Sequence, residues 1–335
     1  MERQKVYCEI DFYRQFLNSY PKEVVPSDDS LRRTKLWIDL NNCLFKSDLV
    51  FDGTIENFKT LAATMDYCKV LWKKSANGEC GIDFVDSSFP KLKEFHKIVL
   101  NDNDYLDSLF LSCESDEVCS EVESSYGVKV ICADNIFDSG NLFNVYVETV
   151  EHGDKSHKNW DFLRVFKHPC NSMAIVDNFV LKNEIIIKEN LISILDKLLP
   201  SSLKIPFHIS VFAKNDFKNM EYYELIKKSL KNLRPKMNFK LTIHQLRSEF
   251  HDRTIITNYL LLDSGSGFDL FSKSKAIHQT SITGYYPFLT SNINIDVGLK
   301  YRVIRKSLKK VSDSACSTEH LTNFWGDREN RLFKN

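Results

Sequence analysis

The second half of the chain alternates apolar runs of two different periods, and this alternation restricts the fold more than any other feature. Residues 173–181 (MAIVDNFVL) are short and nearly continuously apolar, as a buried strand is. Residues 183–200 place apolar side chains at helical spacing and stop at Pro200, and 207–213 (FHISVFA) is strand-like again. Residues 215–233 form an amphipathic helix whose expected inner face is Met220, Tyr223, Leu225, Ile226, Leu230 and Leu233, and 239–246 (FKLTIHQL) gives a third strand. Strands and helices of these lengths in alternation favour an α/β fold, here a mainly parallel mixed sheet flanked by helices.

The first half is less regular. Residues 5–21 read as a short strand running into a helix, and 31–45 (LRRTKLWIDLNNCLF) as a second strand ending on Asp39. The β-rich runs continue at 67–72, 128–134 and 142–150, with a helical stretch over 89–113 between them. The acidic segment 113–125 is expected to be a solvated helix or a loop. These elements predict a separate α/β domain over residues 1–170, and the alternating half forms the domain 171–335. At 335 residues the chain can bury two cores.

Charge limits what the molecule can bind. Lys plus Arg and Asp plus Glu each number 45, so no whole-molecule field gathers polyanions and a nucleic-acid site must be a local patch. The nine cysteines are scattered, odd in number and free of C-x-x-C pairs, as in a reducing compartment, and they read as core thiols. Charges interrupt the apolar stretch of the N-terminus, which does not read as a signal peptide, and no window approaches a bilayer span. The expected location is therefore cytoplasmic.

One stretch carries chemistry. Residues 249–268, EFHDRTIITNYLLLDSGSGF, set His251 and Arg253 ahead of an apolar strand pair, then Asn258, and close on Gly265-Ser266-Gly267-Phe268. Written as spacing, this resembles the H-x-K-x4-D-x6-G-S-x-N signature of the phospholipase D superfamily. It is similar in detail to the degenerate phospholipase-D-like domains at the C-termini of MIT-domain proteins, where H-D-R and a Gly-x-Gly-[Leu/Phe]-Asp pattern also occur, here ending at Asp269. The close resemblance covers about twenty residues; the strand–helix order of 172–246 is compatible with it, and the first 170 residues show no such similarity.

The resemblance implies a phospholipase-D-like C-terminal domain and metal-independent phosphodiester chemistry. His251 would be the nucleophile forming a phosphohistidine, Arg253 and Ser266 would hold phosphate oxygens, and Asn258 would be an orienting hydrogen-bond partner. Gly265 and Gly267 would let the backbone pass close to the ligand. An imidazole suits the role because its ordinary pKa lies near neutrality. Three departures bear on activity: Arg253 stands for lysine, Asn258 for aspartate and Phe268 for the final asparagine. A second histidine would come from a homodimer or from His208, His244 or His278.

Other groups with chemical potential stand outside this motif. Residues 300–310 carry Lys300, Arg302, Arg305, Lys306, Lys309 and Lys310 with no acid. On a helix Arg302, Arg305, Lys306 and Lys309 share a broad face that follows a nucleic-acid backbone, lies against anionic lipid, or is simply solvated. Glu9, Asp11 and Asp39 are similar to the strand-end carboxylates of metal-dependent nucleases of the PIN type, which would hold Mg²⁺. His152, Asp154 and His157 are either metal ligands or an ordinary surface loop.

The preferred expectation is a cytosolic protein recognising nucleic acid or another phosphate-bearing ligand, with no cofactor or metal, either as a phosphodiesterase or nuclease or as a non-catalytic interaction module. A homodimer and a protein partner for the N-terminal half fit either version, as does a bacterial defence or nucleic-acid-processing setting. A membrane surface is the less favoured partner.

Overall fold

A computed structural model of the chain describes residues 3–20, 27–102, 104–136, 145–154, 156–214, 219–247, 249–286, 297–314 and 321–333. They belong to two compact units, one of Met1–Glu123, Val128–Asn144 and Phe288–Val297, the other of Ser124–Gly127, Val145–Pro287 and Gly298–Asn335.

The first unit is built on five parallel four-residue strands: β1 (Lys5–Cys8), β2 (Asp48–Phe51), β3 (Gly81–Phe84), β4 (Leu109–Ser112) and β5 (Lys129–Cys132), in the order β3-β2-β1-β4-β5. Its helices are α1 (Ile10–Asn18), α2 (Asp28–Leu44), α3 (Ile55–Thr64), α4 (Asp66–Ala76), α5 (Phe95–Asn101) and α6 (Asp116–Tyr126). Strand order reverses between β1 and β4, the kind of position at which open α/β sheets place their ligand crevices.

The strand expected over 31–45 is instead part of α2. Ser27 and Ser30 close a reciprocal cap at its start, and the buried Leu36, Trp37, Leu40, Cys43 and Leu44 recur at helical spacing. Asp39 is therefore buried inside a helix and does not end a strand. Residues 67–72 likewise lie in α4, where Cys68 and Leu71 turn inward three positions apart. The expected helical stretch 89–113 holds α5 and then β4, and the acidic segment takes the helical of its two readings in α6.

The second unit carries β6 (Tyr146–Val150), β7 (Ser172–Val176), α7 (Glu184–Ile186), a π-helical segment (Ile187–Ile192) leading into α8 (Ser193–Leu198), β8 (Phe207–Ala213), α9 (Asn219–Leu233) and β9 (Phe239–Leu246). There follow β10 (Arg253–Thr257), β11 (Leu261–Ser264), the ribbon β12 (Phe271–Ser272) and β13 (Lys275–Ala276), β14 (Thr280–Tyr285), α10 (Val297–Asp313) and β15 (Leu321–Gly326). The eight-stranded sheet runs β15-β9-β8-β7-β10-β11-β14-β6. It is mixed: β7, β8 and β9 are parallel and the other pairings are antiparallel. Because β6 pairs with β14, this unit takes in residues upstream of the expected boundary near 170. On α9 the buried face is narrower than expected, with Ile226 and Leu230 inside and Met220 exposed.

Four polar ties hold this core. Asn190, fully buried in the π segment, accepts from Trp160 Nε1 at 3.0 Å and Phe271 N at 2.7 Å, and donates to Phe271 O at 2.8 Å and Ile186 O at 3.2 Å. All its hydrogen-bonding capacity is thus used where an unmet group would cost about 1–3 kcal/mol. Near the C-terminal edge, Asn330 Nδ2 donates to Met173 O and Ser210 Oγ, both at 3.0 Å, and Arg331 donates to Pro206 O at 2.6 Å. His208 Nδ1 meets Glu329 O at 3.2 Å, so residues 329–331 are tied to β7, β8 and the segment before β8. His244 on β9 is among the buried groups whose hydrogen-bonding capacity is not met. It is buried and stacked on Phe212 with ring centroids 4.3 Å apart, and among the described residues neither ring nitrogen has a hydrogen-bond partner. Burial and the Arg328 charge hold its pKa down to about 3.

Candidate functional site

The apolar run after Arg253 forms the hairpin β10–β11, which sets Arg253 opposite Ser264. On its other side β10 runs antiparallel to β7 with Thr254 opposite Val176, so Asp177 comes level with Arg253. The chain leaves β11 through Gly265 and bends at Gly267, whose φ is +110°. Ser264 closes this bend, donating through Oγ to Gly267 O at 2.6 Å and accepting from Gly267 N at 3.0 Å. A Cβ at Gly267 would lie 2.6 Å from Asp177 Oδ2, 3.0 Å from Arg253 Cδ and 3.3 Å from Asp269 Oδ1. Glycine is needed there for space as well as for its dihedral angle.

Asp177 organises the bend. It is fully buried and accepts from Phe268 N at 2.6 Å, Phe179 N at 2.6 Å and Val180 N at 2.8 Å. Burial pushes its carboxyl up to about 6, the backbone donors pull the other way, and the Asp269 charge adds to the rise. Arg253 is half-buried beside it and donates through Nη1 to Gly265 O at 3.2 Å. Its buried Nε has no partner among the described residues. Asp269 Oδ2 stands 3.8 Å from Nε2 of the half-exposed His278, and the next two residues hold Ser266: its Oγ donates to Gln279 O at 2.7 Å and its N to Thr280 Oγ1 at 3.0 Å.

His251 is exposed just before β10. The residue ahead of it is clamped, since Asn178 donates to Phe250 O at 3.0 Å and accepts from Phe250 N at 3.1 Å. The fold thus gathers Arg253, Gly265 and Gly267 with Asp177, Asp269 and His278. The register of β7 against β10 brings in Asp177, and the return of the chain into β14 brings in His278. The Val-Asp-Asn at the end of β7 is the local signal for the former.

Several expected groups lie elsewhere or are otherwise engaged. Asn258 does not orient His251: it is buried beyond the other end of β10, five residues and about 16 Å of extended strand past Arg253, whereas His251 lies two residues before Arg253. There Oδ1 accepts from Asn171 N and Ser172 N at 3.0 Å and Nδ2 donates to Asn171 Oδ1 at 3.2 Å. The Ser266 hydroxyl gives its proton to a backbone carbonyl. Phe268, in place of the motif's polar residue, is buried 6.0 Å from the Trp160 ring. His208 and His244 are buried on β8 and β9, which leaves His278 as the named imidazole beside the Arg253 cluster.

The basic face of α10 is largely turned to structural use. Arg305 Nε donates to Leu332 O, Lys300 pairs with Asp263 at 2.7 Å, and Arg302 and Lys309 are half-buried; Lys306, of the four expected contacts, is exposed. In the first unit Glu9 follows β1 at the strand-order reversal, but its carboxylate accepts from Ser112 Oγ at 2.8 Å and Cys113 N at 2.6 Å, bridging to β4. Asp11 pairs with Arg14 at 2.7 Å. Asp52 caps Ile10 N at 2.6 Å, and burial raises its pKa. His157 lies between Asp154 at 2.8 Å and Glu148 at 3.0 Å as a surface clamp on β6. Among the described residues no three His, Cys, Asp or Glu side chains are grouped to hold a metal ion.

Seven of the eight described cysteines are buried and one, Cys113, is exposed; all are free thiols, and Cys316 lies outside the described residues. No described helix is long and apolar enough to cross a membrane. Compared with known protein families, and with curated proteins, the chain matches none.

Proposed function

We propose that this chain is a cytosolic phosphodiester-recognising protein whose second unit is phospholipase-D-like, with the anion seated at Arg253 beside the Gly265–Gly267 bend. The observation that carries the reading is the half-buried guanidinium with a bare Nε, next to a bend that only glycine can make. A planar guanidinium grips two phosphate oxygens at once, and its pairing with phosphate is charge-assisted.

Turnover at this site uses two imidazoles. His251 attacks phosphorus with the lone pair of a ring nitrogen, the bond to the leaving oxygen breaks, and His278 supplies the proton that oxygen needs. Water then attacks the phosphohistidine, giving a proton to His278 and returning His251. The Asp269 carboxylate, 3.8 Å from His278 Nε2, stabilises the imidazolium that forms as His278 takes up a proton.

Cleavage of bis-(p-nitrophenyl) phosphate and of oligonucleotides in EDTA tests this. Activity surviving the chelator, and falling roughly 10²- to 10⁴-fold in His251→Ala and in His278→Ala, is the expected result. If binding is lost in Arg253→Ala but no turnover occurs in the unaltered protein, the chain is a non-catalytic binding module. Activity abolished by EDTA would refute the metal-independent reading.

A further inference from the structure

The first unit holds a groove between α3 and α4 that the phosphodiester reading leaves unused. Phe58, Lys59, Ala62, Ala63, Lys69 and Trp72 line about 290 Å³. Phe58 is fully buried, while Trp72 is 38% exposed with its ring centroid 6.1 Å from that of Phe58. Ala62 and Ala63, being small, leave the neighbourhood of the indole open. The charged lining residues are two lysines and no acid.

Each lysine has a partner one turn away, Lys59 with Glu56 at 2.8 Å and Lys69 with Asp66 at 2.9 Å, and both carboxylates are largely exposed. Solvent-exposed pairs of this kind are worth about 0–1 kcal/mol, so they exchange readily for a phosphate. The volume is just below the usual range for small-molecule sites, about 300–1,000 Å³, and suits one ring system rather than a larger ligand. A docked helix would need an apolar track repeating along several turns.

We propose that this groove takes one base of a single-stranded nucleic acid, stacked on Trp72, with the adjoining phosphates on Lys59 and Lys69. Stacking on an aromatic side chain beside cations is how such strands are held without regard to sequence. The inference rests on the phosphodiester reading and narrows its ligand to single strands, because a base still paired in a duplex does not offer its face.

Fluorescence anisotropy of a labelled oligothymidylate with the full chain tests it. Trp72→Ala should weaken binding roughly 5- to 150-fold, and Trp72→Phe much less. Lys59→Glu with Lys69→Glu should also weaken binding and flatten the salt dependence by about 0.7 in slope for each phosphate that is no longer neutralised. A duplex of the same length should compete poorly. If Trp72→Ala and the lysine pair bind like the unaltered protein while Arg253→Ala fails, the groove assignment is overturned and the Arg253 reading stands. If the unaltered chain binds bis-(p-nitrophenyl) phosphate through Arg253 but no oligonucleotide, the outcome is the same. If it binds neither, both fall. The lysine variants are surface changes, so the test stands even if Trp72→Ala fails to fold.

Discussion

Replacing His244 by phenylalanine should stabilise the second unit, and the gain should grow as the solution is acidified. The imidazole is buried against Phe212 with both nitrogens bare among the described residues. Each unmet polar atom costs about 1–3 kcal/mol, while the slightly larger phenyl ring returns part of that gain as overpacking. A net stabilisation of about 1–2 kcal/mol near neutral pH follows. The folded state holds the His244 pKa down to about 3, whereas 6.5 is the ordinary value. Between these limits the unfolded chain binds a proton that the native state refuses. The histidine's contribution to stability is therefore complete above about pH 6.5 and is lost as pH falls toward 3, at up to about 1.4 kcal/mol per unit.

Asp177 works in the opposite sense. Its carboxyl is pushed up to about 6 from 3.8, so its contribution is complete below the lower value and is lost as pH rises through the upper one. The two slopes oppose each other between about pH 4 and 6, which makes the unaltered protein a poor readout. The difference between variant and unaltered chain isolates the histidine, because Asp177 is common to both. Urea unfolding followed by circular dichroism at about pH 7.5, 5.5 and 4.5 measures that difference. A gap that stays constant across this range, or His244→Phe and His244→Leu both destabilising at neutral pH, would refute the buried neutral imidazole.

Further outcomes follow from the same packing. Asn190→Leu strands the Trp160 N–H and both polar groups of Phe271, and should lower stability by about 3 kcal/mol or more in the same urea assay. Gly267→Ala forces a strained φ and drives a methyl group against Asp177 and Arg253, so binding of bis-(p-nitrophenyl) phosphate should be lost with a smaller effect on overall unfolding, as titration calorimetry and melting can show. Asn330→Ala removes two bonds to β7 and β8 and should cost about 1–3 kcal/mol, with earlier amide exchange at Met173 and Ser210.

The most legible parts of the fold are its long buried strands. β8 and β9 are seven- and eight-residue strands, buried throughout or nearly so, and both are apparent in the sequence. β2 and β3 are four residues each, too short to establish a period, and the sequence does not announce them. Residues 31–45 mislead because a dense apolar run satisfies either period; what decides the matter is a Ser27–Ser30 cap instead of the commoner pairing with Glu or Gln. In the site, Arg253 and the Gly265–Gly267 bend are visible because they lie within one hairpin. Asp177 and His278 arrive through strand register, which no local spacing records, and the Asn258 side chain misleads because a strand carries it about 16 Å from Arg253.

The ties from Asn330 to the sheet centre have a consequence for biosynthesis. Asn330 is added 157 positions after Met173, whose carbonyl it caps. At about 5–20 residues per second, the nascent chain spends roughly 8–30 s with that carbonyl awaiting its donor, and the Ser210 hydroxyl, 120 positions before Asn330, waits roughly 6–24 s. A ribosome stalled after β11 has been made but before Asn330 holds a sheet whose middle strands are all present but whose closing plug is not, and it is this species that a holdase or a protease would meet.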